Sequence, residues 1–240
     1  MSELSTPQHI TRAALQQGLV VPFAKPEGWT SFSVVNKVRA ASRVKKVGHA
    51  GTLDPFATGL LLICFGKATK QVESLMSLKK EYRTVIKLGV ETDTHDLTGK
   101  VVHEAPVPQI SREQLEALLQ KFTGEIEQVP PMFSALKHKG KRLYELARQG
   151  KTVERAPRKV TIYDLELISH KDDLLELRFV CSRGTYIRAL ARDIGRELGC
   201  GAHIVKLERT RIGEYTLESA WKVSDFLDHI NHNRTADESL

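Results

Sequence analysis

No run of apolar residues in this 240-residue chain approaches the ~18 needed for a membrane-spanning helix. Residues 1–19 hold Arg12 and polar side chains where a secretory leader would carry its apolar stretch. Cysteine is scarce: Cys64, Cys181 and Cys200 are odd in number, far apart and without a C-x-x-C spacing, which argues against a disulfide framework or a zinc site. A reducing, cytoplasmic compartment is the expectation. Nine prolines and sixteen glycines are spread along the chain with no internal repeat, so nothing indicates a collagen-like, low-complexity or long disordered class. A Rossmann glycine fingerprint and a P-loop are also missing.

What is present suits a folded protein of one large domain or two small ones, 41% hydrophobic. The 36 Lys and Arg residues exceed the 29 Asp and Glu by seven, a surface inclined towards polyanions. That excess is local. Between Lys137 and Lys159, nine Lys or Arg residues face only Glu145 and Glu154, and Tyr144 lies among them. Cations that neutralise backbone phosphates release condensed counterions, so the segment reads as a nucleic-acid surface or else as a solvated charged face.

Leu19–Phe23 reads as a short strand punctuated by Lys25-Pro26. Ser31 with Val34, Val35, Val38 and Ala41 reads as a capped amphipathic helix. Leu60–Phe65 is short enough for a buried strand, though the end of a helix has the same pattern, and Tyr82–Val90 alternates as a strand should. Ser111 heads an S-x-x-Q capping box for a helix over 112–122. Val160–Ile168 and Leu174–Val180 read as paired strands around the polar turn His170–Asp173. After Gly184, Ile187, Leu190, Ala191, Ile194 and Leu198 form one helical stripe ending at Gly199. Arg188, Arg192 and Arg196 form a neighbouring stripe that is either solvated or meets phosphates. The acidic loop Glu91, Asp93 and Asp96 with His95 lacks the ligand spacing of an EF-hand and reads as a polar turn. Strand and helix signals alternate without a βαβ rhythm, which predicts an α+β fold with a mixed, mostly antiparallel central sheet flanked by helices.

The most unusual stretch is Gly48-His49-Ala50-Gly51-Thr52-Leu53-Asp54-Pro55-Phe56-Ala57-Thr58-Gly59-Leu60-Leu61, a tight loop feeding an apolar element. Pro55 biases Asp54 away from the helical region, so the loop can aim the carboxylate in one direction as a nucleophile or base requires. Alternatively Asp54 caps a short turn of helix starting at Pro55.

This string resembles the catalytic-aspartate motif of the TruB family of tRNA pseudouridine synthases. Five further blocks stand in that family's order: Lys25-Pro26, Lys80-Glu81-Tyr82-Arg83, Leu88–Thr94, Pro130–Ala135 and Cys181–Arg188. The resemblance runs from about Lys25 to Arg211. It implies a pseudouridine synthase-like fold that converts uridine 55 in the T-arm of tRNA to pseudouridine. Asp54 is then the catalytic carboxylate, Tyr82 the aromatic that stacks on the target base, and Arg188 the cation that pairs with the aspartate. His49 would fill the gap left by the departing base, and Leu207 would form the apolar floor of the pocket. Lys25 and Tyr186, from matching blocks, are expected on the substrate side, and Lys137, Lys139 and Arg142 at the phosphates.

The isomerisation brings in no group and is redox-neutral, so no cofactor and no metal are expected. The expected partner is the T-arm stem-loop of tRNA, bound by a monomer that needs no membrane and no protein partner. Residues 1–222 are expected to form the catalytic domain and 223–240 a short helix with a polar tail. Many members of the family carry an extra C-terminal RNA-binding domain. Here 29 residues follow Arg211, fewer than the ~50 of an independent domain, so contact with the tRNA body beyond that arm is not expected. Two other readings stand beside this one: a non-catalytic tRNA-binding or folding module, and a glycoside hydrolase, for which no second carboxylate can be placed.

Overall fold

The computed structural model describes residues 10–237, with side chains to residue 232. The chain folds as two compact units, one formed by the described residues up to Glu81 and from Glu208 onward, the other by Tyr82–Leu207. The first unit begins with α1 (Arg12–Gly18), β1 (Val20–Lys25), α2 (Ser31–Ser42), β2 (Val47–Ala50), β3 (Thr58–Phe65) and α3 (Val72–Ser77). Strand β4 (Lys80–Leu88) leads into the second unit, which continues with β5 (Val90–Thr92), β6 (Val101–Glu104), α4 (Arg112–Gln120) and β7 (Gly124–Gln128). There follow β8 (Lys137–His138), β9 (Lys141–Arg142), α5 (Leu143–Arg148), β10 (Arg158–Lys171), β11 (Leu174–Cys181) and α6 (Ile187–Glu197). Strand β12 (Ala202–Ile212) returns the chain to the first unit, which closes with β13 (Tyr215–Thr216), β14 (Trp221–Lys222) and α7 (Val223–Asp237).

Strand β3 organises the first unit. One of its edges pairs antiparallel with β1; the other pairs antiparallel with β2 over Leu62–Phe65 and parallel with β12 at Thr58 and Gly59. Successive side chains of a strand point to opposite faces. Leu61, Ile63 and Phe65 therefore enter one core with Phe23, Val34, Val38 and Phe226, while Leu60, Leu62 and Cys64 enter another with Ala50, Leu75 and Ile212. Burial on both faces explains the unbroken apolar run and settles it as a strand. Each such side chain contributes about 1.5–3 kcal/mol by leaving water.

In the second unit the order is β4-β11-β10-β7, with β10 antiparallel to both neighbours. The Thr84 hydroxyl of β4 donates to the Lys206 carbonyl of β12 at 2.7 Å. Pairing is mixed in the first unit, and β10–β11, β10–β7, β5–β6 and β8–β9 of the second are antiparallel, so the α+β class stands. Ser111 and Gln114 make the reciprocal capping box, and the helix ends at Gln120, two residues short of the expected boundary. The hairpin of β10 and β11 is longer than its apolar pattern, reaching Lys171 before a turn in which Asp172 takes φ 55°. Among the described residues no helix is long and apolar enough to cross a membrane.

Two local expectations are corrected. The alternation of Tyr82–Val90 is not one strand: Gly89, at φ 83°, breaks it after Leu88, and β5 starts a separate hairpin with β6. The second concerns Ser31, which is the first residue of α2 and not its cap. The Thr30 side chain accepts from the Ser33 amide at 2.9 Å, which releases the Ser31 hydroxyl for Leu53.

At the β3–β12 crossing Gly59 has φ 105°, and an added Cβ would run into the backbone of Arg209. Gly59→Ala is expected to cost about 2–4 kcal/mol, backbone strain plus overpacking. A lowered urea midpoint followed by circular dichroism measures this; an unchanged midpoint would show that β12 can move away without penalty.

Candidate active site

Asp54 lies in the loop between β2 and β3, half-buried. Pro55 starts no helix. Instead the Ala57 amide donates to the Asp54 carbonyl at 3.1 Å, closing a β-turn with proline at its second position. The helix-cap alternative is thereby overturned, and the carboxylate is not consumed by a helix N-terminus.

Both neighbours of Asp54 are held. The Leu53 amide donates to the Ser31 hydroxyl at 2.9 Å, and that hydroxyl donates to the Leu53 carbonyl at 3.3 Å. The Pro55 carbonyl accepts from the Gly28 amide at 2.8 Å and from Lys25 Nζ at 3.2 Å. Lys25 Nζ also donates to the Pro26 and Trp29 carbonyls at 2.8 and 2.7 Å. Its side chain is 1% exposed, and burial pushes it down to about 8, with the Asp54 charge pulling the other way.

His49 is on β2, opposite Ile63 of β3. Burial, and then the positive charge of Arg209, hold its imidazole below the ordinary histidine range, so the neutral ring is the form present near pH 7. Arg209 itself, on β12, is wholly buried.

In the second unit Tyr82 lies on the buried face of β4 with Thr84 and Ile86, and Leu207 is buried on β12. Tyr186 is the N-cap residue of α6, with Gln128 clasping its backbone: the Tyr186 amide donates to Gln128 Oε1 at 2.8 Å and Gln128 Nε2 to the Tyr186 carbonyl at 3.1 Å. Two residues on, Arg188 is 4% exposed. Its guanidinium donates to the Thr94 and Phe133 carbonyls at 2.9 and 2.7 Å and lies 3.5 Å from Asp96 Oδ2.

The arginine stripe of α6 is therefore not a wholly solvated face: Arg188 and Arg192 are buried, and only Arg196 is exposed. Arg192 bonds the Val129 carbonyl and Asp193, while Arg196 bonds the buried Glu91 through two nitrogens. The acidic loop at 91–96 is correspondingly more than a polar turn. Asp96 is 4% exposed and also accepts from the Thr94 and Thr98 hydroxyls and the Thr98 amide. Among the described residues no group of three or more His, Cys, Asp or Glu side chains is arranged to hold a metal ion.

Lys137, Lys139 and Arg142 belong to the small β8–β9 hairpin, where Lys139 and Gly140 take φ 48° and 84° in a tight turn. All three side chains are exposed. Tyr144 is half-buried, with the Arg142 and Arg148 guanidinium groups 5.9 and 5.5 Å from its ring centroid. The end of the hairpin and α5 thus place two cations around one aromatic ring.

Of the residues singled out in the sequence, the first unit brings together Lys25, His49 and Asp54, and the second contains Tyr82, Lys137, Lys139, Arg142, Tyr186, Arg188 and Leu207. Sequence reading took Asp96 for part of a polar turn and missed Gln128 and Arg209. A signal for Arg209 exists: in the alternation of β12 it occupies the same inward face as Leu207, an unusual place for a charge.

A family model described as "TruB family pseudouridylate synthase (N terminal domain)" matches residues 39–187, and one described as "tRNA pseudouridylate synthase B C-terminal domain" matches residues 188–240. A protein of Francisella philomiragia named tRNA pseudouridine synthase B is 48% identical over 210 residues, covering 87% of this chain and 70% of that one. Its namesake in Parabacteroides distasonis is 49% identical over 220 residues, covering 88% and 94%. Among solved structures, a Cbf5-Nop10-Gar1 complex contains a chain 30% identical with a TM-score of 0.69, over 89% of this chain. An H/ACA RNP bound to a substrate RNA containing 2'-deoxyuridine matches at 26% identity, again with a TM-score of 0.69, over 94% of this chain. The present chain spans only 54% and 56% of those two solved chains.

Removing the carboxylate that faces Arg188 tests the ion pair. Asp96→Ala is expected to destabilise the second unit by about 3–5 kcal/mol, because it removes a buried carboxylate from beside a buried guanidinium. Asp96→Asn, which retains acceptors for Thr94 and Thr98, should cost less. Urea denaturation of the two variants would contradict this if both melted with the wild type.

Proposed function

Because the chain belongs to the TruB family of pseudouridylate synthases, we propose that it isomerises uridine 55 in the T-arm of tRNA to pseudouridine, with Asp54 as the catalytic carboxylate. The observation that carries this reading is the held Asp-Pro turn: a half-buried carboxylate whose neighbours on both sides are tied down, in a loop with no helix to cap. Preorganisation of this kind is what a reacting group needs.

The reaction breaks the bond from N1 to C1′, turns the detached uracil and joins C5 to C1′. N1 gains a proton, C5 loses one, and no electrons are exchanged with a partner. Asp54 stabilises or captures the electron-poor centre formed when the glycosidic bond opens, as carboxylates do in glycoside cleavage. Arg188, oriented within its unit by Thr94, Phe133 and Asp96, is the cation assigned to the aspartate by family resemblance. A cation keeps a carboxylate ionised by favouring its charged form.

The target base must leave its stack, at a cost of a few kcal/mol recovered by stacking and pocket contacts. Tyr82 stacks on the flipped base, Leu207 floors its pocket, and Tyr186 lies beside Arg188 on the substrate side. The neutral ring of His49 fills the vacated place in the RNA loop. Lys25 holds the loop at Pro55 and adds positive charge near Asp54. Lys137, Lys139 and Arg142 bind phosphates of the arm. The reading calls for no cofactor, membrane or protein partner, and for a monomer working in the cytoplasm.

Tritium at C5 of uridine reports the chemistry, since C5 must lose its hydrogen. Wild type is expected to release one tritium per tRNA with no cofactor added, and Asp54→Asn none, with tRNA affinity within a few-fold. Release by the purified Asp54→Asn variant would remove Asp54 from the chemistry; binding without release by wild type would favour a tRNA-binding module.

Reversing charge at the hairpin separates binding from chemistry. Lys137→Glu, Lys139→Glu and Arg142→Glu together are expected to weaken tRNA binding and flatten the salt dependence of log K by roughly 0.7–0.9 per lost phosphate contact. The turnover rate at saturating tRNA should hold. Salt titrations that superimpose on wild type would remove the hairpin from the interface.

A further inference from the structure

We propose that Arg209 is the positioning residue for Asp54, its guanidinium bridging the two ends of the loop that carries the aspartate. This rests on the reading of Asp54 as the catalytic carboxylate. Arg209 Nε donates to the Leu60 carbonyl at 2.7 Å and Nη2 to the Gly51 carbonyl at 3.1 Å, so one rigid fork ties the residue just after β2 to the third residue of β3. Asp54 lies between these two points.

The backbone explains why a guanidinium is needed there. Along one edge of β3, the ladder with β2 ends at Ala50 and Leu62, and the ladder with β12 begins at Arg209 and Gly59. Leu60 falls between the two ladders, at the fork where β2 and β12 diverge. Its carbonyl takes the Arg209 side chain as donor, and a buried carbonyl must find one. Next along β12, Glu208 accepts from the Thr58 hydroxyl at 3.4 Å, so two successive residues hold the point where the loop enters β3.

A second observation is electrical. The positive charge of Arg209 helps to lower both His49 and Lys25: for His49 it follows burial directly, and for Lys25 it follows burial and the opposing pull of Asp54. The same group that bridges the loop thus acts on the ionisable side chains around it. Ser31, Gly28 and Lys25 hold the middle of the loop at Leu53 and Pro55; Arg209 holds its ends. Its loss would uncouple Gly51 from Leu60 at the two ends of the loop and let the carboxylate drift. A displacement on the order of 1 Å can cost about 10²-fold in rate.

The test compares Arg209→Lys and Arg209→Ala with wild type and Asp54→Asn, using single-turnover tritium release, tRNA affinity, thermal melting and an NMR titration of His49. Lysine retains the charge but cannot reproduce the fixed fork. Arg209→Lys is therefore expected to melt as a folded protein, bind tRNA within about threefold of wild type and react roughly 30–100-fold more slowly. His49 should still titrate low in that variant. In Arg209→Ala the rate should fall at least as far and recover in part with added ethylguanidinium, while His49 titrates closer to its ordinary range.

Wild-type rates in either folded variant would overturn the proposal. So would a rate loss matched by an equal loss of tRNA affinity, or Arg209→Ala left wholly unrescued. If neither variant folds, NMR of the wild-type Arg209 side chain decides: an Nε–H protected from exchange with water supports the bridge, and one that exchanges freely refutes it. Turnover by Asp54→Asn would instead bring down the reading of Asp54 itself, whatever the Arg209 variants do.

Discussion

A cation taken out of water must find acceptors where it is buried, and in this protein the acceptors are largely backbone carbonyls of loops. Lys25 holds the Pro26, Trp29 and Pro55 carbonyls, Arg209 those of Leu60 and Gly51, and Arg188 those of Thr94 and Phe133. A loop carbonyl has no ladder or helix partner of its own, so the same contact satisfies both sides. Loops held this way behave as parts of the scaffold, although they have none of the periodicity of helices or strands. The chain thereby obtains fixed, irregular backbone at the places where its chemistry is expected.

In the first unit this arrangement has a direct consequence for Asp54. Aspartate before proline is an ordinary helix-start signal, and an aspartate at that task would spend its carboxylate on backbone amides. Here the chain enters β3 through a β-turn, and side chains of β1, α2 and β12 meet the loop's own backbone. Contacts to the backbone on both sides of Asp54 thus hold the turn that carries the carboxylate. In the second unit the division is similar: Arg188 is oriented by the Thr94 and Phe133 carbonyls and by Asp96, and α6 carries it on a helix whose opposite stripe is core.

The buried arginines also show how charge patterns mislead. Arg188, Arg192 and Arg196, spaced four apart, look like a basic face for RNA, yet the first two are buried and the third is bonded to Glu91. The excess positive charge between Lys137 and Lys159 is different, because Lys137, Lys139 and Arg142 remain exposed on their hairpin. Linear charge counts treat both alike. Only the position of Glu91 and Asp96, about a hundred residues earlier in the chain, distinguishes them.

Much was legible from residue order alone. Periodicity located α2, α4, α6, β1 and the β10–β11 hairpin, because apolar spacing reports directly which face must be buried, whereas the unbroken run Leu60–Phe65 left β3 open between strand and helix. The ordered blocks around Asp54, Tyr82 and Arg188 pointed to the family, since each is a short local string. What residue order left open were contacts between distant segments: the helix-or-turn choice at Pro55, the use of Ser31 for Leu53, the neutralisation of the α6 stripe, and the whole role of Arg209. A hydrogen bond from Arg209 to Gly51 spans 158 positions of sequence, and no local pattern encodes which carbonyl a buried donor will reach. The sequence by itself therefore determined the strongly periodic elements, the fold class and the family. Tertiary structure alone decided how the candidate residues are held, because a buried polar group takes whichever partner the packed fold brings to it.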